Sequence, residues 1–253
     1  HALVGYGTDR AADIRVTMEV AAGRDDLDLQ VWPRTRNIAL VHELGLPRIG
    51  GCILLDGAIG ARTAALTQPY LDEPDNFGVL YFTDEEFRQF AAECAAANLQ
   101  LCVHAIGDAA IEQGLRAYEH LSRDYDLHAL RPRIDHFCMG TPQQCDRAAK
   151  LGVASSMQPV FDYYWGGRGG AYKPVLGKRT VSANPLRTAI AAGMVLGGSS
   201  DAPITPLDPR LGIHAACNHT NPDERLSFAE AVKLFHVPLD AQVIGGELVW
   251  SKL

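Results

Sequence analysis

The feature that most constrains this chain is a repeated alternation of short apolar runs with segments of helical period. Apolar runs at residues 13–20, 52–55, 99–103, 133–136, 153–157 and 194–196 read as strands, the first because it alternates with period two. Between them lie helix signatures. Thr83-Asp-Glu-Glu86 has the form of a capping box, followed by Phe87, Phe90, Ala91 and Cys94 on one face. Residues 108–121 form a second helix. Thr141-Pro142 opens a third, which runs to Leu151 and stops at Gly152. Residues 185–192 and a segment from Ser227 to Phe235 supply two more. Strands and helices that alternate in this way build a parallel sheet with helices packed on it.

A barrel and an open doubly wound sheet both satisfy that alternation, and the strand ends separate them. Asp56, His104, His136, Gln158 and Asp201 all fall at or just past the C-terminal ends of successive strands. In a barrel those ends converge on one rim, whereas an open sheet gathers its ligand chemistry at one switch point. The expected fold is therefore α/β, a (β/α)-barrel. Two stretches depart from the pattern. Residues 166–179 are glycine-rich and basic and read as a long loop over the strand ends. Residues 241–250 read as a β-hairpin turning at Gly245-Gly246, part of a different sheet.

Composition narrows the function. A net charge of −7 disfavours nucleic acid and anionic membrane as partners. No apolar run approaches the ~20 residues needed to span a bilayer. The first residues lack the basic start and apolar core of a signal peptide. None of the six cysteines forms a Cys-x-x-Cys pair, which reads as free thiols in a cytoplasmic protein. No Gly-x-Ser-x-Gly elbow is present, and no cysteine sits where its pKa would fall. Gly197-Gly-Ser-Ser lacks the Gly-Lys ending of a phosphate loop and runs into an acid.

Three residues stand out for metal chemistry. His104 follows an apolar strand and opens a helix; alone it would read as a capping or core histidine. His136 ends another strand about one strand–helix repeat later, and two imidazoles on neighbouring strand ends are a natural metal pair. Asp201 follows a glycine-rich strand end, where a carboxylate can bind metal and accept a proton; alone it would read as an Asx-turn. Asp108, at a helix start, reads as structural.

Taken together, the segments Asp56-Gly-Ala-Ile-Gly-Ala-Arg-Thr-Ala-Ala65, His104-Ala-Ile-Gly-Asp108, Arg133-Ile-Asp-His136, Ala154-Ser-Ser-Met-Gln-Pro159 and Gly198-Ser-Ser-Asp-Ala-Pro203 resemble the amidohydrolase superfamily. The nearest branch holds N-substituted formamide deformylases and related metal-dependent hydrolases. The resemblance implies a distorted (β/α)8 TIM-type barrel over residues 1–237, lacking its first strands. Residues 238–253 would belong to a small β-sandwich. It implies hydrolysis of an amide, formamide or cyclic C–N bond of a small-molecule substrate through a metal-activated water. His104, His136 and Asp201 would hold one or two divalent ions, zinc by preference, with Asp201 as the proton-transferring acid and base. Asp56, Arg62 and Gln158 would face the same rim and bind substrate. Homo-oligomerisation is left open.

Three departures qualify the resemblance. The family's first-strand His-x-His is absent and the chain starts without Met, so an N-terminal part is expected to be missing. The link from Phe235 to the last hairpin is short. Many relatives carry a Lys where this chain has Cys52, so a carboxylated lysine cannot bridge two metals here. Cys52 is expected to pack as a small apolar residue on one strand face with Leu54 and Asp56, with metal ligation as the alternative. A second reading, from another class, is an inactive relative that binds a ligand or serves as a scaffold.

Overall fold

A computed structural model describes residues 2–7, 11–23, 28–235, 241–244 and 247–251. The elements run β1 (Ala2–Gly7), α1 (Ala11–Ala22), β2 (Asp28–Pro33), α2 (Ile38–Glu43), β3 (Arg48–Leu54), α3 (Asp84–Ala96), β4 (Gln100–Ala105), α4 (Asp108–Leu121), α5 (Leu127–Leu130) and β5 (Arg133–His136). They continue with α6 (Pro142–Leu151), β6 (Ser155–Met157), α7 (Pro159–Trp165), α8 (Tyr172–Leu176), α9 (Leu186–Ala191), β7 (Leu196–Gly198), α10 (Pro209–Cys217), α11 (Phe228–Phe235), β8 (Ala241–Ile244) and β9 (Glu247–Ser251).

From β1 to β7 the pairings are parallel and join strands consecutive in sequence: β1 with β2, β3 with β4, β4 with β5, and β6 with β7. β2 packs beside β3, and a bridge between Arg133 and Ala154 links β5 to the start of β6. Such an order has no reversal and hence no switch point, which is how a TIM-type sheet winds. β4 is buried along nearly its whole length, as strands covered on both faces must be.

Helices α3 and α4 lie on the outside of β3–β5. Phe87, Phe90, Ile111, Leu115 and Tyr118 meet Ile49, Leu101, Val103 and Ile134 in one apolar cluster. Phe87 contacts both Phe82 and Tyr118 edge-on, with ring centroids 6.0 and 6.1 Å apart. Each such fully buried side chain contributes about 1.5–3 kcal/mol. The helix ends follow their sequence signals. Thr83 and Glu86 complete a capping box, Thr141 and Gln144 complete another, and Gly152 takes the left-handed conformation (φ 71°) that stops α6.

Three expectations fail, each for a local reason. Residues 13–20 are helical, not extended: Ile14 is fully buried with Met18 packed beside it, one turn on, while Val16 and Val20 are both 57% exposed. Their period-two apolar spacing is therefore split between a buried and a solvent face. Residues 166–179 are not one loop, because α8 forms within them and a 3-10 turn (Gly177–Ser182) follows. Cys52 does not share a regular strand face with Leu54 and Asp56. Its φ is +61°, and the β3–β4 register shifts between Ile49 and Ile53. β8 and β9 pair antiparallel, as the hairpin reading expects, while residues 245–246 at its turn lie outside the described residues. No helix among the described residues is long and apolar enough to cross a membrane.

Candidate metal centre

β3, β4 and β5 lie side by side, with Leu54 opposite His104 and Ala105 opposite His136. This places the two imidazoles together at the C-terminal strand ends, ring centroids 4.4 Å apart. The bulge at Cys52 turns its thiol toward them. One donor atom from each of Cys52, His104 and His136 lies within 4.8 Å of the other two. All six cysteines are free thiols, and Cys52 is half-buried outside every apolar cluster of the described residues. The thiol thus stands among the histidines and not in the core.

Hydrogen bonds decide which imidazole nitrogens are available. His104 Nε2 lies 3.1 Å from the Gly57 carbonyl, which can only accept, so Nε2 carries the hydrogen and Nδ1 keeps its lone pair. His136 Nδ1 lies 2.8 Å from Gln158 Oε1. The amide group of Gln158 is itself oriented, because its nitrogen donates to the Ser156 carbonyl and to Ser199 Oγ, both at 2.9 Å. Nδ1 of His136 is therefore the donor, and Nε2 has the free lone pair. Two imidazoles, each with one ring nitrogen held by an outer hydrogen bond, joined by a thiol, form a donor set of the kind zinc and related divalent ions take.

Burial pushes the His104 imidazole down to about 3, aided by neighbouring His136, so it is neutral at any physiological pH. Burial and the Asp201 charge push the Cys52 thiol up to about 11. A divalent cation reverses that preference by favouring the thiolate.

Asp201 falls outside the three-residue cluster but within electrostatic reach of it. Burial raises its pKa, with the neighbouring His136 opposing the rise and Asp135 adding to it. Its loop is tied inward through Ser199, whose hydroxyl meets Ser156 Oγ and Gln158 Nε2 at 2.9 Å each. Cys52, His136 and Asp201 all adopt positive φ, at 61°, 70° and 53°, a strained conformation for side-chain-bearing residues and one that gathers at functional sites.

The remaining site candidates are placed differently. Asp56 is fully buried. Its oxygens accept from the amides of Ala65, Ile106 and Gly107 at 2.7–2.9 Å and lie 3.6 Å from His104 Nε2. It thereby clamps the residue 57–65 loop to the start of α4. Gly107 permits the close approach, since a Cβ there would fall 1.8 Å from the Ala65 carbonyl oxygen. Asp108 ties the same loop to α4 through the Thr67 amide, at 2.9 Å. Arg62 is paired with Asp72 at 2.5 Å and Glu73 at 3.1 Å. Gln158 is buried against His136 as described.

Sequence reasoning preferred packing for Cys52 and kept metal ligation as the alternative; a bulge brings its thiol beside the histidines. Asp135 was missed. This buried acid takes a bidentate hydrogen bond from Arg133, one from Cys102 Sγ at 3.1 Å, and one from the Ser156 amide at 3.2 Å. Its position beside His136 in Arg133-Ile-Asp-His136 was the available signal. Phe161 stacks on His136, with rings 17° from parallel and centroids 6.0 Å apart.

Parallel strands in sequence order, with a thiol–imidazole donor set toward their C-terminal ends, define a TIM-barrel-like α/β protein with a candidate metal centre. Residues 4–236 match the amidohydrolase family, and the chain belongs to it. It is 35% identical over 197 residues to the Bacillus subtilis (strain 168) protein named amidohydrolase YtcJ, covering 72% of this chain and 36% of that one. It is 24% identical over 178 residues to the N-substituted formamide deformylase of Arthrobacter pascens, covering 67% of this chain and 32% of the enzyme. The crystal structure of an uncharacterized metal-dependent hydrolase from Pyrococcus furiosus superposes with a TM-score of 0.77 at 28% identity, covering 92% of this chain and 49% of that one. The chain thus spans about a third of the length of these two curated relatives and half of the solved structure.

Proposed function

We propose that this chain carries the metal-binding strands of a hydrolase that cleaves an amide, formamide or cyclic C–N bond in a small molecule. The observation that supports this most strongly is the convergence of Cys52, His104 and His136, with both imidazole lone pairs fixed by Gly57 and Gln158. Cys52 Sγ, His104 Nδ1 and His136 Nε2 would hold one divalent ion, zinc by preference, since three N and S donors suit it.

Such an ion, when bound, supplies Lewis acidity and brings the ionisation of water near neutral pH. The chain's own residues do the rest. Asp201, half-buried with a raised pKa, holds a proton more readily than a solvated carboxylate, which suits a group that takes a proton from water and returns it to the leaving nitrogen. Gln158 and Ser199 hold His136 and the Asp201 loop in register. The stacked ring of Phe161 covers one face of His136 and limits water there. We assign Arg62 and Gln158 to the substrate rim as secondary contributors. Asp56, buried and fully hydrogen-bonded, serves the scaffold behind them. Residues 238–253 are assigned to a β-sandwich strand pair, and a cytoplasmic location is part of the same reading.

Metal analysis of purified protein, followed by a turnover screen against formamides, N-acyl amines and cyclic amides, tests the proposal. Stoichiometric metal with hydrolysis that chelation abolishes is expected. Stoichiometric metal with no hydrolysis of any class would replace it with the ligand-binding alternative.

A further inference from the structure

A cavity of about 610 Å³ opens at the ends of β2 and β3, lined by Arg34, Arg36, Ile53, Leu54, Tyr81 and Phe82, with Thr35 and Asn37 completing its wall. It borders the strand next to the one that carries His104. Leu54, in its wall, is the ladder partner of His104 and lies two residues from Cys52. Its size falls within the usual range for small-molecule sites.

Thr35, Asn37 and Arg36 in this wall make local contacts. Thr35 Oγ1 accepts from the Asn37 amide at 3.1 Å, and Asn37 Oδ1 caps α2 by accepting from the Leu40 amide at 3.0 Å. The Arg36 guanidinium lies over Phe82 and Phe90, at 4.9 and 5.4 Å from their ring centroids. Arg34 is exposed and, among the described residues, takes no hydrogen bond or ion pair. It follows directly on β2, whose C-terminal end borders the cavity. A guanidinium with its fork of donors unused is a ready partner for a planar carboxylate. The remaining wall of Ile53, Leu54, Tyr81 and Phe82 suits an apolar or aromatic group.

We propose that Arg34 is a carboxylate anchor, and that the site takes amides bearing a carboxylate next to an apolar or aromatic group. That the ligand is an amide rests on the proposed hydrolase function; the carboxylate preference does not.

The test is calorimetric titration of metal-free, chelator-treated protein with 3-phenylpropionate and with its neutral match 3-phenylpropionamide. Removing the metal keeps the carboxylate from binding the ion instead. Wild type is expected to bind the carboxylate about 2–5-fold more tightly than the amide, the range of a solvent-exposed ion pair. Arg34→Met should erase that preference, Arg34→Lys should retain part of it, and Arg36→Met should leave it. Absent binding, equal affinities, or a preference that survives Arg34→Met would overturn the assignment, as would loss through Arg36→Met alone. Turnover by the metal-loaded protein decides the hydrolase reading separately, so failure of hydrolysis leaves the binding result to stand or fall by itself.

Discussion

The amide oxygen of Gln158 accepts the Nδ1 hydrogen of His136 at 2.8 Å, which leaves Nε2 as the one ring nitrogen able to bind an ion. Gln158→Leu removes that acceptor at a buried position while roughly keeping volume. Outer partners of this kind are worth about 10–100-fold in metal affinity. A competition titration with a chromogenic chelator should show a loss of that size with the circular dichroism spectrum unchanged. Undiminished affinity would mean that the histidine is oriented by other contacts.

Asp201→Asn keeps the shape of the side chain but takes away its capacity to accept a proton. Turnover should fall about 10²–10⁴-fold while metal content holds, since Asp201 stands outside the three-donor cluster. Parallel metal analysis and steady-state kinetics check this. Full activity in the variant would move the base elsewhere.

Asp56→Ala strips a buried carboxylate from three backbone amides. Each orphaned donor costs about 1–3 kcal/mol, so urea unfolding should show a loss of about 3 kcal/mol or more. A loss below 1 kcal/mol would show that water satisfies those amides and that Asp56 is free for another role.

Much of this arrangement was legible beforehand, and what was not has a physical reason. Capping boxes at Thr83 and Thr141 and the glycine stop at Gly152 are local signals, and each stands where the sequence puts it. His104 and His136 meet because strand order and register are simple. Cys52 is different: its position depends on a left-handed residue inside a strand, which no period-two reading anticipates. The helix at Ala11–Ala22 was hidden because Val16 and Val20 face solvent, giving an apolar alternation without burial. Arg34 carries no motif, and its interest comes from what surrounds it.

Acid should weaken the packing of α11. Arg187, with the Ser227 cap, holds the Glu230 carboxyl down at about 2. A carboxyl depressed in the folded state stabilises above its unfolded pKa, and that contribution is lost as pH falls from about 4.5 toward 2. Melting temperatures of wild type and Glu230→Gln should therefore differ at pH 6 and converge near pH 2. A constant gap across that range would assign the difference to something other than charge.

The central claim is that Cys52, His104 and His136 together hold one metal ion. X-ray absorption at the zinc edge on zinc-loaded protein tests it most directly. The expected result is one ion per chain with a single sulfur at ~2.3 Å and two imidazole nitrogens at ~2.0–2.1 Å, the sulfur vanishing in Cys52→Ala. A shell of nitrogen and oxygen alone, unchanged by that substitution, would contradict the claim.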